Sequence, residues 1–311
     1  MRLFTSSLKF PRSKVVSIML LLFLGVVWGL SFSLARMSTE GGLHPLTINY
    51  WSCLLAAIFL CLFCLFTKQR VPLQHPFPFL YISCGILGMV VPGTLYFYAA
   101  SQISAGILSI TVATVPLLTF IAATTLRLEL FSYMRLAGVI LGIVSIGLLI
   151  LPNESLPNST DAYWVLLMIV ASACYAAETL IIDSQTPPNI NSFVVVTGML
   201  VAASLIMTPL VWLTGTFETL PWPPTHSTTA IIGMAVITAT AVGLFYRLIV
   251  TTGPIFAAQT AYLVTLAGVV WGIIIYDEKH SVWIWSALAI MILALFLVQP
   301  RDNSDRSSAA R

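Results

Sequence analysis

Apolar residues in this chain come in long unbroken runs, and the polar residues gather between them instead of alternating along them. From Ile103 the chain reads ISAGILSITVATVPLLTFIAATTL, then a short polar turn, RLELFSYMR, then LAGVILGIVSIGLLIL up to Leu151. Each run can cross a hydrocarbon core about 30 Å thick as a helix, and the turn is too short to hold a domain. The pattern predicts a membrane hairpin. It returns 149 residues later as GPIFAAQTAYLVTLAGVVWGIII, YDEKHSV and WIWSALAIMILALFLV, with Glu278 in the place of Glu129. Identities in that register are few (Thr111 with Thr260, Val115 with Val264, Ser132 with Ser281), so the shared order of apolar run, acidic turn and apolar run is the stronger sign of a repeat.

Ten spans follow from the same pattern. The first begins near residue 15; the others cover about 46–66, 78–100, the two runs of the hairpin, 162–183, 192–214, 228–250, 254–275 and 281–299. Arg2, Lys9, Arg12 and Lys14 ahead of the first run, with Ser33-Leu34-Ala35 near its end, suggest a signal peptide. The run exceeds the usual apolar region of about 7–15 residues, however, and its removal would leave the first half one span short. The expected division is therefore a basic segment 1–14, a five-helix repeat 15–151, a polar linker 152–161, a second five-helix repeat 162–299 and a polar tail 300–311. An odd number of spans per half turns the second copy upside down relative to the first. The expected fold is an all-α integral membrane protein, ten transmembrane helices in two inverted five-helix repeats, an architecture recurrent among secondary transporters.

Composition agrees: 59% of the 311 residues are hydrophobic and 8% charged, against about a quarter charged in soluble proteins. Charge placement predicts orientation. With both termini cytoplasmic, twelve of the fourteen Lys and Arg residues fall at cytoplasmic ends, and only Arg36 and Lys279 lie outside. The linker is then external, and its sequons at Asn153 and Asn158 carry little weight in a bacterial chain. No basic tail or basic-aromatic face points to nucleic acid. All five cysteines sit in apolar runs, so Cys61-x-x-Cys64 reads as packing rather than redox or metal chemistry. The four histidines lie in loops or at span ends, without H-E-x-x-H, and no phosphate loop is present. No metal or cofactor is expected.

Several short motifs occur in a familiar order: Trp28-Gly29 with Ser31-Phe32, Pro45 opening span two, Pro116 with Glu129 thirteen residues on, and Ala258-Gln259, Tyr262-Leu263-Val264, Trp271-Gly272 and Glu278 in the second half. Their order resembles the EamA-type family of the drug/metabolite transporter superfamily, over essentially residues 15–299. The resemblance implies a carrier with a central cavity between its halves, typically exporting amino acids or other small metabolites and often driven by protons. One departure is Thr265, which stands where the first half has Pro116.

Charged groups at membrane depth are the first site candidates, since each costs about 2.5–3.5 kcal/mol or more at a helix centre. Glu178 in span six and Arg247 in span eight lie near the cytoplasmic ends of helices running the same way. They can meet as a coupling or zwitterion-binding pair, or be a static pair. Glu129 and Glu278 read as acids accepting from the amides of the helix that follows each turn. Arg36 and Glu40 frame either an entrance or a solvated helix end. The remaining candidates are Trp28, Ser31, Tyr96, Thr111, Tyr175, Gln259, Tyr262 and Thr265, with Ser109 and Thr114 beside Thr111. Gln259, Tyr262 and Thr265 step along one helical face, while packing against helix carbonyls is the alternative for each hydroxyl. Gly25-x3-Gly29, Gly138-x3-Gly142 and Gly268-x3-Gly272 read as close helix contacts. A membrane carrier for small organic solutes, monomeric or dimeric and in a bacterial inner membrane, is the reading that results. The alternatives are a membrane enzyme acting on lipid and a sugar-phosphate or nucleotide-sugar carrier.

Overall fold

The computed structural model describes residues 14–129, 131–152, 161–187, 190–252 and 259–298, apart from the side chains of residues 14, 246, 247 and 249–252. Among the described residues every regular element is helical. They are α1 (Lys14–Thr39), α2 (Pro45–Phe66), α3 (Phe77–Gly85), a π-helical turn (Ile86–Val90), α4 (Val91–Ala100), α5 (Ala105–Val112) and α6 (Val115–Thr125). The rest are α7 (Tyr133–Ile150), α8 (Asp161–Gln185), α9 (Ser192–Leu213), α10 (His226–Thr252), α11 (Thr260–Tyr276) and α12 (Val282–Leu297). Span three joins α3, the π turn and α4; span four joins α5 and α6. Eight spans are long and apolar enough to cross a bilayer, and the shorter apolar α11 and α12 bring the total to ten. The expected sequons, the terminal segments 1–13 and 299–311, and residues 253–258 of the expected ninth span lie outside the described residues.

Helix starts follow capping chemistry. Ser104, Asn191 and Ser281 precede α5, α9 and α12, and the side chain of each accepts from a first-turn amide. His44 does the same through Nδ1 for Leu46, with Pro45 opening α2. Pro92 and Pro116 coincide with breaks: the first follows the π turn, the second begins α6 after the turn at Ala113-Thr114. Span nine has Thr265 at the corresponding place and α11 runs through it unbroken, so the two halves are not mechanically identical. Pro209 sits inside α9, which is likewise continuous.

The packing obeys an exchange of the two halves. α1 lies against α10 and α11, and its counterpart α8 lies against span three and span four. α2 packs on α9, α5 on α11, and α7 on α12, each a span with its own counterpart; α3 on α9 is matched by α10 on α2. Nearly every large interface is thus between halves. The glycine pairs make the close contacts expected of them. A Cβ on Gly29 would lie 2.6 Å from the Ala267 Cβ, and one on Gly138 would lie 2.8 Å from the Ala294 carbonyl oxygen. Outward-facing Phe23, Leu62, Ile143, Ile274 and Phe296 are exposed, as lipid-facing side chains are in a bundle whose backbone polar groups are satisfied within its helices.

Candidate functional site

Two groups of polar residues stand out in the bundle, one at membrane depth and one at the end that carries Glu278. The deep group is strung along α1, α4 and α8. Ser31 Oγ donates to the Trp28 carbonyl at 2.6 Å, and Tyr96 from α4 reaches the Ser31 carbonyl with its hydroxyl at 3.4 Å. Trp28 stands edge-on to Phe245 of α10, ring centroids 5.7 Å apart. Tyr96 lies within electrostatic range of Tyr175 on α8, and Tyr175 lies one turn before Glu178. Glu178 accepts no hydrogen bond from a described residue. Its carboxyl lies directly against Gly88, in the π turn of span three, where a Cβ would collide with it. About seven residues of α8 separate it from Gln185, the helix end, or about 10 Å at 1.5 Å per residue.

Arg247, the expected partner of Glu178, has a side chain outside the described residues. Its helix α10 packs chiefly on α1 and α2, whereas α8 packs on spans three and four. Among the described residues, α8 and α10 are thus not chief packing neighbours of one another. The α5–α11 candidates are packed instead of facing open space. Thr111 donates to the Ile107 carbonyl at 2.8 Å, Thr265 to the Ala261 carbonyl at 2.9 Å, and Ser109 bridges to the Thr265 carbonyl at 3.2 Å. Both threonines are buried. Gln259 stands at the N-cap position of α11, and Tyr262, one turn into it, packs partly buried against the main core.

The second group surrounds Glu278, and here the expected helix cap is corrected. The carboxylate does accept helix amides, but not those of α12, which Ser281 caps. Its oxygens take the Ala105 N–H at 2.8 Å and the Gly106 N–H at 3.2 Å, at the start of α5 in the other half. Ser104 supplies the acceptor for Ile107 N–H, so the first three amides of α5 all have partners. Arg36 donates to Oε1 at 2.7 Å, its guanidinium 4.3 Å from the centroid of the Tyr276 ring, and His280 Nε2 stands 3.4 Å from Oε2. Gly106 and Gly272 allow this approach: a Cβ on Gly106 would meet His280 at 2.8 Å, and one on Gly272 would strike the carboxylate. Burial holds the His280 imidazole below its ordinary value of 6.5, against the opposing pull of Glu278. Beside the cluster is a cavity of about 690 Å³ whose lining includes Arg36, Glu40, Asp161, Glu278, Lys279 and His280. Arg36 and Glu40 thus border an opening.

At the opposite end, Glu129 pairs with Arg135 at the start of α7, and the Arg135 guanidinium lies 5.4 Å from the Phe120 ring. Glu129 and Glu278 stand at opposite ends of the bundle, as inversion requires, because Glu278 meets the beginning of span four and Glu129 follows its end.

A family model for EamA-like transporters matches residues 15–151 and matches again over residues 162–299. The chain belongs to the EamA-like transporter family. The two matches fall one on each half of the packing exchange, so the family unit is the five-helix half and this transporter carries two. It is an integral membrane protein of the drug/metabolite transporter type. Among solved structures, one described as "Crystal structure of protein" aligns with TM-score 0.62 and 15% identity, covering 92% of this chain and 96% of that one. At that identity it supports the fold alone. Comparison with curated proteins finds no match.

One important residue escaped the sequence reading. Asn49 in α2 is buried and donates to the Met89 carbonyl at 3.1 Å, the Val90 carbonyl at 3.3 Å and the Thr94 hydroxyl at 3.1 Å. The available signal was that it is the sole asparagine inside an apolar run.

Proposed function

We propose that this transporter is a secondary carrier exporting amino acids or related small organic solutes across a bacterial inner membrane, with both termini cytoplasmic and with Glu178 as its proton-coupling group. The observation that carries this reading is the position of that carboxyl. It lies at membrane depth, without an ion-pair partner among the described side chains, against an irregular turn and one helical turn from Tyr175. A carboxyl so placed is costly to keep charged unless something neutralises it, and gaining a proton or a substrate ammonium does so. The Tyr96 and Trp28 side chains give the neighbourhood aromatic surface, one hydroxyl and one indole N–H for a small amphipathic solute.

A sugar-phosphate or nucleotide-sugar cargo would favour cations at the same depth. Among the described side chains, Lys and Arg instead stand at helix ends or in loops: Arg36, Lys68, Arg70, Arg127, Arg135 and Lys279. With Arg247 of α10 the one cation well inside a span, the spans offer a phosphate cargo no cluster of cations. The cavity beside Glu278 is then the outer mouth, and the carrier acts as a monomer or homodimer.

The test is retention of a metabolite panel by cells with and without the protein, repeated with Glu178→Gln across external pH. Export that is lost, or becomes independent of the pH gradient, in Glu178→Gln is the expected result. Normal export by that variant at every pH removes the coupling role.

A further inference from the structure

We propose that Asn49 is a positioning residue for Glu178, holding the π turn of span three in the register that puts Gly88 under the carboxyl. This rests on the reading of Glu178 as the coupling group, which it deepens.

The π turn is a local irregularity that needs holding. Pro92 has no N–H, so the carbonyls four and five residues before it, those of Gly88 and Leu87, lose the donor a helix would have given them. Val91 N–H reaches back five residues to the Ile86 carbonyl. Asn49 enters from α2 and takes the next two carbonyls, of Met89 and Val90, together with the Thr94 hydroxyl. Its own amide oxygen is in contact with Gly93, where a Cβ would lie 2.6 Å away, and receives the Cys53 thiol at 3.6 Å. The side chain is 3% exposed. It is therefore gripped at both ends and grips the irregular backbone in turn. On the other side of the same five residues lies Glu178, against Gly88.

Relaxing a π turn into α-helix shifts the chain by one residue, a rotation of about 100° for everything on one side. Such a rotation would carry Gly88 away from α8 and bring a bulky neighbour, Leu87 or Met89, toward the carboxyl. The titratable groups that face Glu178 among the described residues are Cys84 of α3 and Tyr175 of its own helix, with Tyr96 of α4 and Cys53 of α2 adjoining Tyr175. Tyr96 and Cys53 belong to the elements that Asn49 ties together, and Cys84 stands two residues ahead of the π turn.

Labelling by dicyclohexylcarbodiimide, which attacks protonated carboxyls in apolar surroundings, reads this without knowledge of the cargo. The full-length protein in phosphatidylethanolamine–phosphatidylglycerol vesicles is labelled from pH 5 to 9, and the Glu178 peptide is quantified by mass spectrometry. Asn49→Leu is expected to move the midpoint of the labelling profile by at least about half a pH unit, about threefold in rate on the alkaline limb of the profile, where rate follows the small protonated fraction. Gly88→Ala, which places a methyl where the carboxyl lies, is expected to displace it as well, and stands in should Asn49→Leu fail to assemble. Profiles for both variants that coincide with wild type overturn the proposal, and so does wild-type Glu178 that resists the reagent at every pH. A shifted profile together with normal export by Glu178→Gln would sink the coupling reading while leaving the positioning role intact.

Discussion

Replacing Glu278 by alanine should be among the most damaging single changes outside the helix interiors, and the site allows the cost to be worked out. The carboxylate side chain is 5% exposed and holds two backbone amides of α5 at 2.8 and 3.2 Å. Orphaning a buried donor costs about 1–3 kcal/mol, so the two amides together put about 2–6 kcal/mol at stake. The Arg36 pair adds about 0–1 kcal/mol, because that side chain is 34% exposed and its charge is screened. Water from the adjoining cavity of about 690 Å³ can reach part of the vacated space, which draws the sum toward about 3 kcal/mol. With roughly 2–4 °C per kcal/mol for a chain of this order of size, the melting midpoint of detergent-solubilised protein should fall by about 6–12 °C. Arg36→Gln, which leaves both amides capped, should cost about 4 °C or less on the same scale. If Glu278→Ala and Arg36→Gln lower the midpoint equally, the carboxylate works through the ion pair and the cross-half cap is energetically empty. A drop under about 2 °C for Glu278→Ala refutes the reasoning altogether.

Three further outcomes follow from the same geometry. Because burial holds His280 below 6.5 in the folded protein, the unfolded chain binds the extra proton in the window between the lowered value and 6.5; stability is full above that window and lost as pH falls through it. The melting midpoint should therefore decline on acidification below about pH 6.5 more steeply in wild type than in His280→Gln, and parallel declines would contradict the assignment. Gly29→Val pushes a branched side chain into the Ala267 Cβ and the Gly268 amide nitrogen, which a Cβ alone would approach to 2.6 and 2.9 Å, so it should cost about 1–3 kcal/mol; unaltered thermal stability would mean that α1 and α11 are not so closely apposed. Single cysteines at Ser132 and Ser281, in a background lacking the five native ones, should react with a membrane-impermeant maleimide from opposite faces of the membrane, and reaction from one face would abolish the inverted arrangement.

Much of the fold was legible because a bilayer restricts what a chain can do. An apolar run of about 20 residues that must satisfy its own backbone has one solution, the helix, so spans two, six, seven and eight lie within a few residues of where hydropathy puts them. The glycine pairs were legible for a related reason: at Gly29 and Gly138 only the lack of a Cβ permits the contact seen. Partners were not legible. Thr111, Thr265 and Glu178 are all single polar residues in apolar runs, yet two of them close onto their own helix carbonyls and the third lies against a glycine of another helix. Which outcome occurs depends on the neighbour's backbone, and the turn at Ile86–Val90 leaves only Pro92 and Gly93 as a trace in the sequence.

Glu278 shows why the halves need one another. A helix beginning at Ala105 exposes amides that its own sequence supplies with a single side-chain acceptor, Ser104. The missing acceptor arrives from 173 residues away, beyond the far end of α11. It can arrive only because the second half is inverted, which makes the end of span nine and the beginning of span four share one face of the bundle. A second copy in the same orientation would put Glu278 a full span length, about 30 Å, from those amides. For Glu278 the acidic turn and the inversion are thus one structural device: an acid after span nine is useful to span four only in an upside-down pair.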